Sequence, residues 1–171
     1  MAQTNRGDTK PLERELGRAG QPGMTAIDLL DDDHNRVLQM FNRYENTKSD
    51  ASPEEKRQLA RTLCRELKIH TRIEEEIWYP QLRSRADVGD RVDEALAEHS
   101  RAKELIKEIE GTSTHGPEFD YWIKALDDEV RRHIHEERDG LFDVAEIADC
   151  NTAEMARALL ARKRELEDEI R

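Results

Sequence analysis

Apolar residues recur along this chain at the three- and four-residue spacing of amphipathic helices, in five separated stretches. Thr25 with Asp28 has the pattern of a capping box. Ile27, Leu30, His34, Val37, Leu38 and Phe41 then share one face, which predicts a first helix running to about Glu45. Ser52-Pro53-Glu54-Glu55 opens a second helix with a hydroxyl cap, a proline in the first turn and acidic groups where the helix dipole favours them. Its stripe passes through Leu59, Leu63, Leu67, His70, Glu74 and Ile77, and Pro80 predicts a kink or an end there. After a break near 87–90, Val92, Leu96, His99, Ala102, Ile106 and Ile109 mark a third helix that closes at Gly111. Pro117 starts a fourth, whose inner face carries Ile123, Leu126, Val130, His133, Glu137 and Leu141. Beyond Cys150-Asn151-Thr152, the residues Met155, Leu159, Leu166 and Ile170 give a fifth amphipathic segment. It is expected to cover one end of the bundle or to meet a second subunit. Residues 1–23 carry prolines and glycines without sustained periodicity and read as a flexible arm.

Short connections between the main helices predict antiparallel neighbours. The expected fold is therefore all-α: an up-down-up-down four-helix bundle over 24–147, an arm over 1–23 and a C-terminal amphipathic helix over 151–171. Composition agrees, because 39% of residues are charged and β-branched and aromatic residues are scarce. A net charge of −11 speaks against nucleic acid, whose binding depends on neutralising phosphates. No apolar run approaches the roughly 20 residues of a membrane span, and Met1 to Gly23 lacks the hydrophobic segment of a secretory signal. The two cysteines, Cys64 and Cys150, suit a reduced, cytoplasmic setting. Monomer and homodimer are both compatible with the pattern.

The apolar stripes are interrupted by His34, His70, His99 and His133, and Glu74 and Glu137 each follow a histidine by one helical turn. The His70/Glu74 and His133/Glu137 pairs are offset by 63 residues, a weak internal repeat. Buried imidazoles and carboxylates are costly unless something charged or hydrogen-bonding meets them, and a metal ion satisfies both together. Taken singly, each histidine reads as a structural residue, and with the helices mis-phased both glutamates would reach water. Taken together, the six point inward in a way that coincidence explains poorly. Glu75, Glu76, Glu136 and Asp139 read as solvated faces. Four imidazoles and two carboxylates exceed what one tetrahedral ion uses. They fit two ions bridged by carboxylates and a solvent-derived oxygen, a set that suits iron first and manganese or zinc less well.

On Asp33-His34, His70 with Glu74 and the trailing Trp78-Tyr79-Pro80, Glu98-His99, and His133 with Glu137 and the trailing Leu141-Phe142, the chain resembles the hemerythrin-like, HHE cation-binding family over residues 25 to 145. That resemblance implies a non-haem di-iron centre, two iron ions with an oxo or hydroxo bridge, meeting O₂, NO or H₂O₂. Its ligands would be His34, His70, Glu74, His99, His133 and Glu137, with the glutamates as bridges. The oxygen-carrying hemerythrins use a fifth histidine and an aspartate on the last ligand helix, whereas this chain offers His133 and Glu137 with no inward-facing histidine four residues on. A carboxylate in place of an imidazole favours the ferric state, which suits peroxide or nitric oxide at least as well as O₂ carriage. Four readings follow: a binding or sensing protein with a role in oxidative stress, a catalase-like enzyme, an iron-responsive regulatory or storage protein, and a bundle without metal. Asp33 and Glu98 each precede a ligand and are expected either to accept a ring N–H or to be plain surface acids. Phe41, Trp78 and Tyr79 are expected to pack, and His115, His135 and the cysteines to have no role in the site.

Overall fold

A computed structural model describes residues 23–170, so the arm expected over 1–23 lies, apart from Gly23, outside the described residues. The elements are α1 (Ala26–Thr47), α2 (Pro53–Ile73), α3 (Tyr79–Arg85), α4 (Gly89–Gly111), α5 (Pro117–Glu136), α6 (Phe142–Ile147) and α7 (Ala153–Glu169). Single π-helical turns, Glu74–Trp78 and Glu137–Leu141, join α2 to α3 and α5 to α6. The helix starts follow the sequence signals: Thr25 with Asp28 and Ser52 with Glu55 form reciprocal capping boxes, and the Thr152 hydroxyl accepts from the Met155 N–H.

Helix α1 packs against α2 and α5, and α4 packs against the same two, which closes the up-down-up-down bundle. Helix α7 lies along α1, α2 and the first π turn. Its Ala156, Leu159 and Leu166 join Leu29, Leu30, Ile69 and Trp78 in one apolar cluster. Arg65 secures its far end by donating to the carbonyl oxygens of Ile170 and Glu167. The fifth segment thus covers a side of the bundle in this chain. A second apolar cluster, built on Phe41, Tyr44, Leu63, Ile106, Phe119 and Leu126, fills the other end. The histidines and glutamates of the ligand pattern fall between the two clusters in every bundle helix, a polar layer sealed from water on both sides.

Pro80 does not end its helix. The chain continues to Arg85 through the π turn, whose wider winding carries the hydrogen bond from the Tyr79 N–H to the Glu74 carbonyl. Proline does not cause this turn, because Asp143 stands at the corresponding place in the second copy and the same winding forms there. Cys64 and Cys150 are both buried free thiols. Among the described residues no helix is long and apolar enough to cross a membrane.

Candidate metal centre

The i, i+4 spacing sets each glutamate one turn from its histidine, and the π turn starts at that glutamate in both copies. Atoms of His34, His70, Glu74, His133 and Glu137 all lie within 4.8 Å of one another, and all five residues are buried. His99 adjoins this group: its Nε2 is 3.2 Å from Glu74 Oε2 and 3.2 Å from His133 Nε2. Glu74 faces both halves of the cluster, since its other oxygen, Oε1, lies 3.1 Å from His70 Nε2. Glu137 Oε2 lies 3.3 Å from His34 Nε2 and 3.6 Å from His133 Nε2.

The acids that precede His34 and His99 act across helices. Glu98, next to His99 on α4, accepts from His133 Nδ1 on α5 at 2.9 Å. Asp33, next to His34 on α1, approaches His70 Nδ1 on α2 at 3.8 Å, a charge contact rather than a hydrogen bond. His99 Nδ1 donates to Glu75 at 2.9 Å, and Lys103 donates to the same carboxylate. Glu75 is therefore not the solvated acid its place on an isolated helix suggested, because α4 runs alongside and supplies two partners. Glu76 does reach the surface, where Arg72 and Arg162 bind it.

Residues 25–145 match the hemerythrin HHE cation-binding domain. The chain belongs to that family. A crystal structure of a hemerythrin HHE cation-binding domain-containing protein from Mycobacterium kansasii superposes with a TM-score of 0.71 at 21% identity, covering 85% of this chain and 89% of that one. It shares the fold. A protein named DNA nickase from Nostoc sp. (strain PCC 7120) is 30% identical over 119 residues, which are 70% of this chain and 33% of the relative. The chain thus spans about a third of that relative's length.

Do the residues in hand suit the cation that the family name implies? Both nitrogens of His34 and His70, both oxygens of Glu74 and Oε2 of Glu137 are buried without a hydrogen-bond partner. Orphaned polar atoms at this density are rare in a settled core, and here they share one region. In their neutral forms His99 and His133, each giving the Nδ1 proton outward to a carboxylate, turn inner Nε2 lone pairs toward each other at 3.2 Å. Two lone pairs so placed repel unless a proton or a metal stands near them. The set fits a cation.

Charge supports the same conclusion. Burial disfavours a charged His70, but Glu74 and Asp33 outweigh it and hold the imidazole up at about 10. His99 is held up at about 9 against its burial by Glu74 and Glu75. Burial likewise opposes a charged Glu74, yet His70 and His99 keep it well below the usual carboxylate range. His34 moves the other way, lowered chiefly by burial. Without metal, protons on His70 and His99 balance the buried carboxylates, and a metal must displace them to reach neutral imidazole. Loading the metal-free protein at pH 7.5 is expected to release about two protons per chain, one each from these histidines. The release should shrink as pH rises through about 9 and then about 10, where first His99 and then His70 becomes neutral before metal arrives. An indicator-dye titration that detects no release at pH 7.5 would contradict the charge balance described.

Tyr79 was expected only to pack, and it does more. Its hydroxyl donates to Glu137 Oε1 at 2.8 Å and lies 3.3 Å from His99 Nε2. Burial, then the nearby Glu137 and Glu74, push the phenol well above its ordinary range, so it keeps its proton. The corresponding residue of the second copy is Phe142, stacked on His34 with ring centroids 5.9 Å apart. Likewise Arg138 stands where the first copy has Glu75, and it turns away to Asp31 and Asn35. The two copies are consequently unequal: the first brings a phenol proton to Glu137 and a carboxylate to His99, whereas the second brings Phe142 to His34 and turns Arg138 away. Phe41 and Trp78 pack as expected. His135 lies at the surface beside Asp139, and exposed His115 contacts Ser113.

Proposed function

We propose that this chain holds two iron ions among His34, His70, Glu74, His99, His133 and Glu137, and engages O₂, NO or peroxide there. The observation that carries the reading is the buried layer of unpartnered nitrogen and oxygen atoms from four helices. Iron bound there would supply one-electron chemistry toward such ligands. Glu74, which faces His70 and His99, and Glu137, which faces His34 and His133, would be the carboxylates shared between the two ions. A cavity of about 20 Å³ beside the imidazoles, walled by Val37, Leu67, Ala102, Val130 and Ile134, is apolar and of a size for one diatomic molecule.

Tyr79 favours a second reading, decomposition of hydrogen peroxide. It holds a proton at its hydroxyl oxygen inside the cluster, where a reacting oxygen would need one. The name of the Nostoc relative is not carried over to this chain: the match covers a third of that protein, and a net charge of −11 is unsuited to binding phosphates.

Protein from iron-supplied cells is expected to contain about two irons per chain and to show a near-ultraviolet band that dithionite removes and air restores. Purification without bound metal would refute the proposal. Oxygen release on adding peroxide, slowed about 10²-fold in Tyr79→Phe at unchanged iron content, is the expected sign of the enzymatic reading. Fully loaded protein that releases no oxygen leaves the binding role alone.

A further inference from the structure

All six ligand residues are buried, so a cation needs a route inward. The geometry points to an inlet for divalent cations in the acidic cleft between α4 and the second π turn, where Arg91 lies over Gly140. The inference rests on the reading of the centre as a cation site and concerns how that site is filled.

The cleft has a volume of about 290 Å³. Glu94, Glu136 and Asp139 stand exposed along it, and the buried Glu98 and Glu137 line it from within. Glu137 joins the cleft to the centre: the residue lines the cleft, and its Oε2, sealed from solvent without a hydrogen-bond partner, lies 3.3 Å from His34 Nε2. The carboxylates crowd one another. Five carboxylates line the cleft, and among the described residues Arg91 is the one cation that lines it with them.

The internal repeat shows why the opening is on this side. Where the first copy of the motif has Ile77, packed against the apolar cluster, the second has Gly140. A Cβ at Gly140 would lie 3.0 Å from Arg91 Nη1, so the end of a flexible arginine stands where a fixed side chain would otherwise begin. Exposed Arg91 forms no hydrogen bond or ion pair among the described residues. A cation over an acidic cleft, held by no specific partner, is a counter-ion that an arriving metal can displace.

The test is the rate at which the metal-free full-length chain takes up Co²⁺, followed by its visible absorption after rapid mixing. Glu94→Gln/Glu136→Gln is expected to load about tenfold more slowly at low ionic strength, because the field that concentrates cations in the cleft is lost. The difference should vanish in high salt. Arg91→Ala should load faster, a gain that damage to the fold would not produce. Gly140→Leu should load slowly at every ionic strength, and Gly140→Ala carries the same expectation in weaker form should the leucine not fold. Glu104→Gln/Glu108→Gln, an equal charge change further along α4, should load like the unaltered chain. Every variant should reach the same final cobalt content. Uptake rates unchanged in both Glu94→Gln/Glu136→Gln and Arg91→Ala would overturn the inlet while leaving the centre standing. An unaltered chain that binds no cobalt would instead remove the reading of the centre itself.

Discussion

Glu74→Gln is expected to lower the metal affinity by at least about 10²-fold and to yield protein nearly free of iron, with helix content unchanged. The substitution keeps shape and removes charge. Glu74 is fully buried, with Oε1 3.1 Å from His70 Nε2 and Oε2 3.2 Å from His99 Nε2. An amide there offers one oxygen and one NH₂ group, so it can face a metal on one side only. It also removes the anion that most strongly holds His70 in its charged form. The metal-free fold should tolerate the change, because an uncharged side chain avoids the cost of a carboxylate taken out of water. Elemental analysis and circular dichroism of the purified variant together make the check. Close to the normal iron content would show that Glu74 is not a ligand.

The bundle was legible because helical periodicity survives in every stretch, and the caps at Thr25 and Ser52 mark starts that side-chain oxygens then occupy. The buried layer of histidines and glutamates was legible because His and Glu one turn apart share a face whatever the rest of the chain does. The residues that surround the ligands were harder to read. Tyr79 stands five residues after Glu74 and Phe142 five after Glu137, and a regular helix turns such positions away from the preceding glutamate. The π turns wind wider and bring both rings onto the inner face. Aromatic residues at the same place in both copies were the one available signal. Glu75 needed knowledge of the neighbouring helix, since its partners His99 and Lys103 come from α4. Lys163 lies between Leu159 and Leu166 within the apolar stripe of the fifth helix, and a lysine is easily read there as a surface residue with its stem on the core.

That lysine should prove among the most sensitive positions outside the ligands. Lys163→Met is expected to destabilise the protein by about 3–5 kcal/mol, because it leaves a buried carboxylate without its cation. The ammonium donates to Asp33, 130 positions away, and the side chains of both residues are at most 7% exposed. Burial works against an ionised Asp33, yet His70 and Lys163 hold it down at about 2. Its contribution is therefore present above the ordinary aspartate value and is lost only as pH falls toward 2. At neutral pH the charge persists and Lys163 is needed. In a chain of this size the loss corresponds to a melting temperature lower by on the order of 10 °C. Asp33→Asn/Lys163→Met should recover much of it by removing the stranded charge, the non-additivity expected of two residues in contact. A Lys163→Met melting curve no lower than that of Lys107→Met, an exposed lysine on α4, would show that the pair adds nothing. Asp33 also approaches His70 at 3.8 Å, so the same substitution frees a carboxylate that positions a ligand. Metal affinity should then fall by about 10- to 100-fold in Lys163→Met, and Asp33→Asn/Lys163→Met should recover stability without recovering metal. That separation would place α7 in the outer wall of the metal centre as well as in the fold.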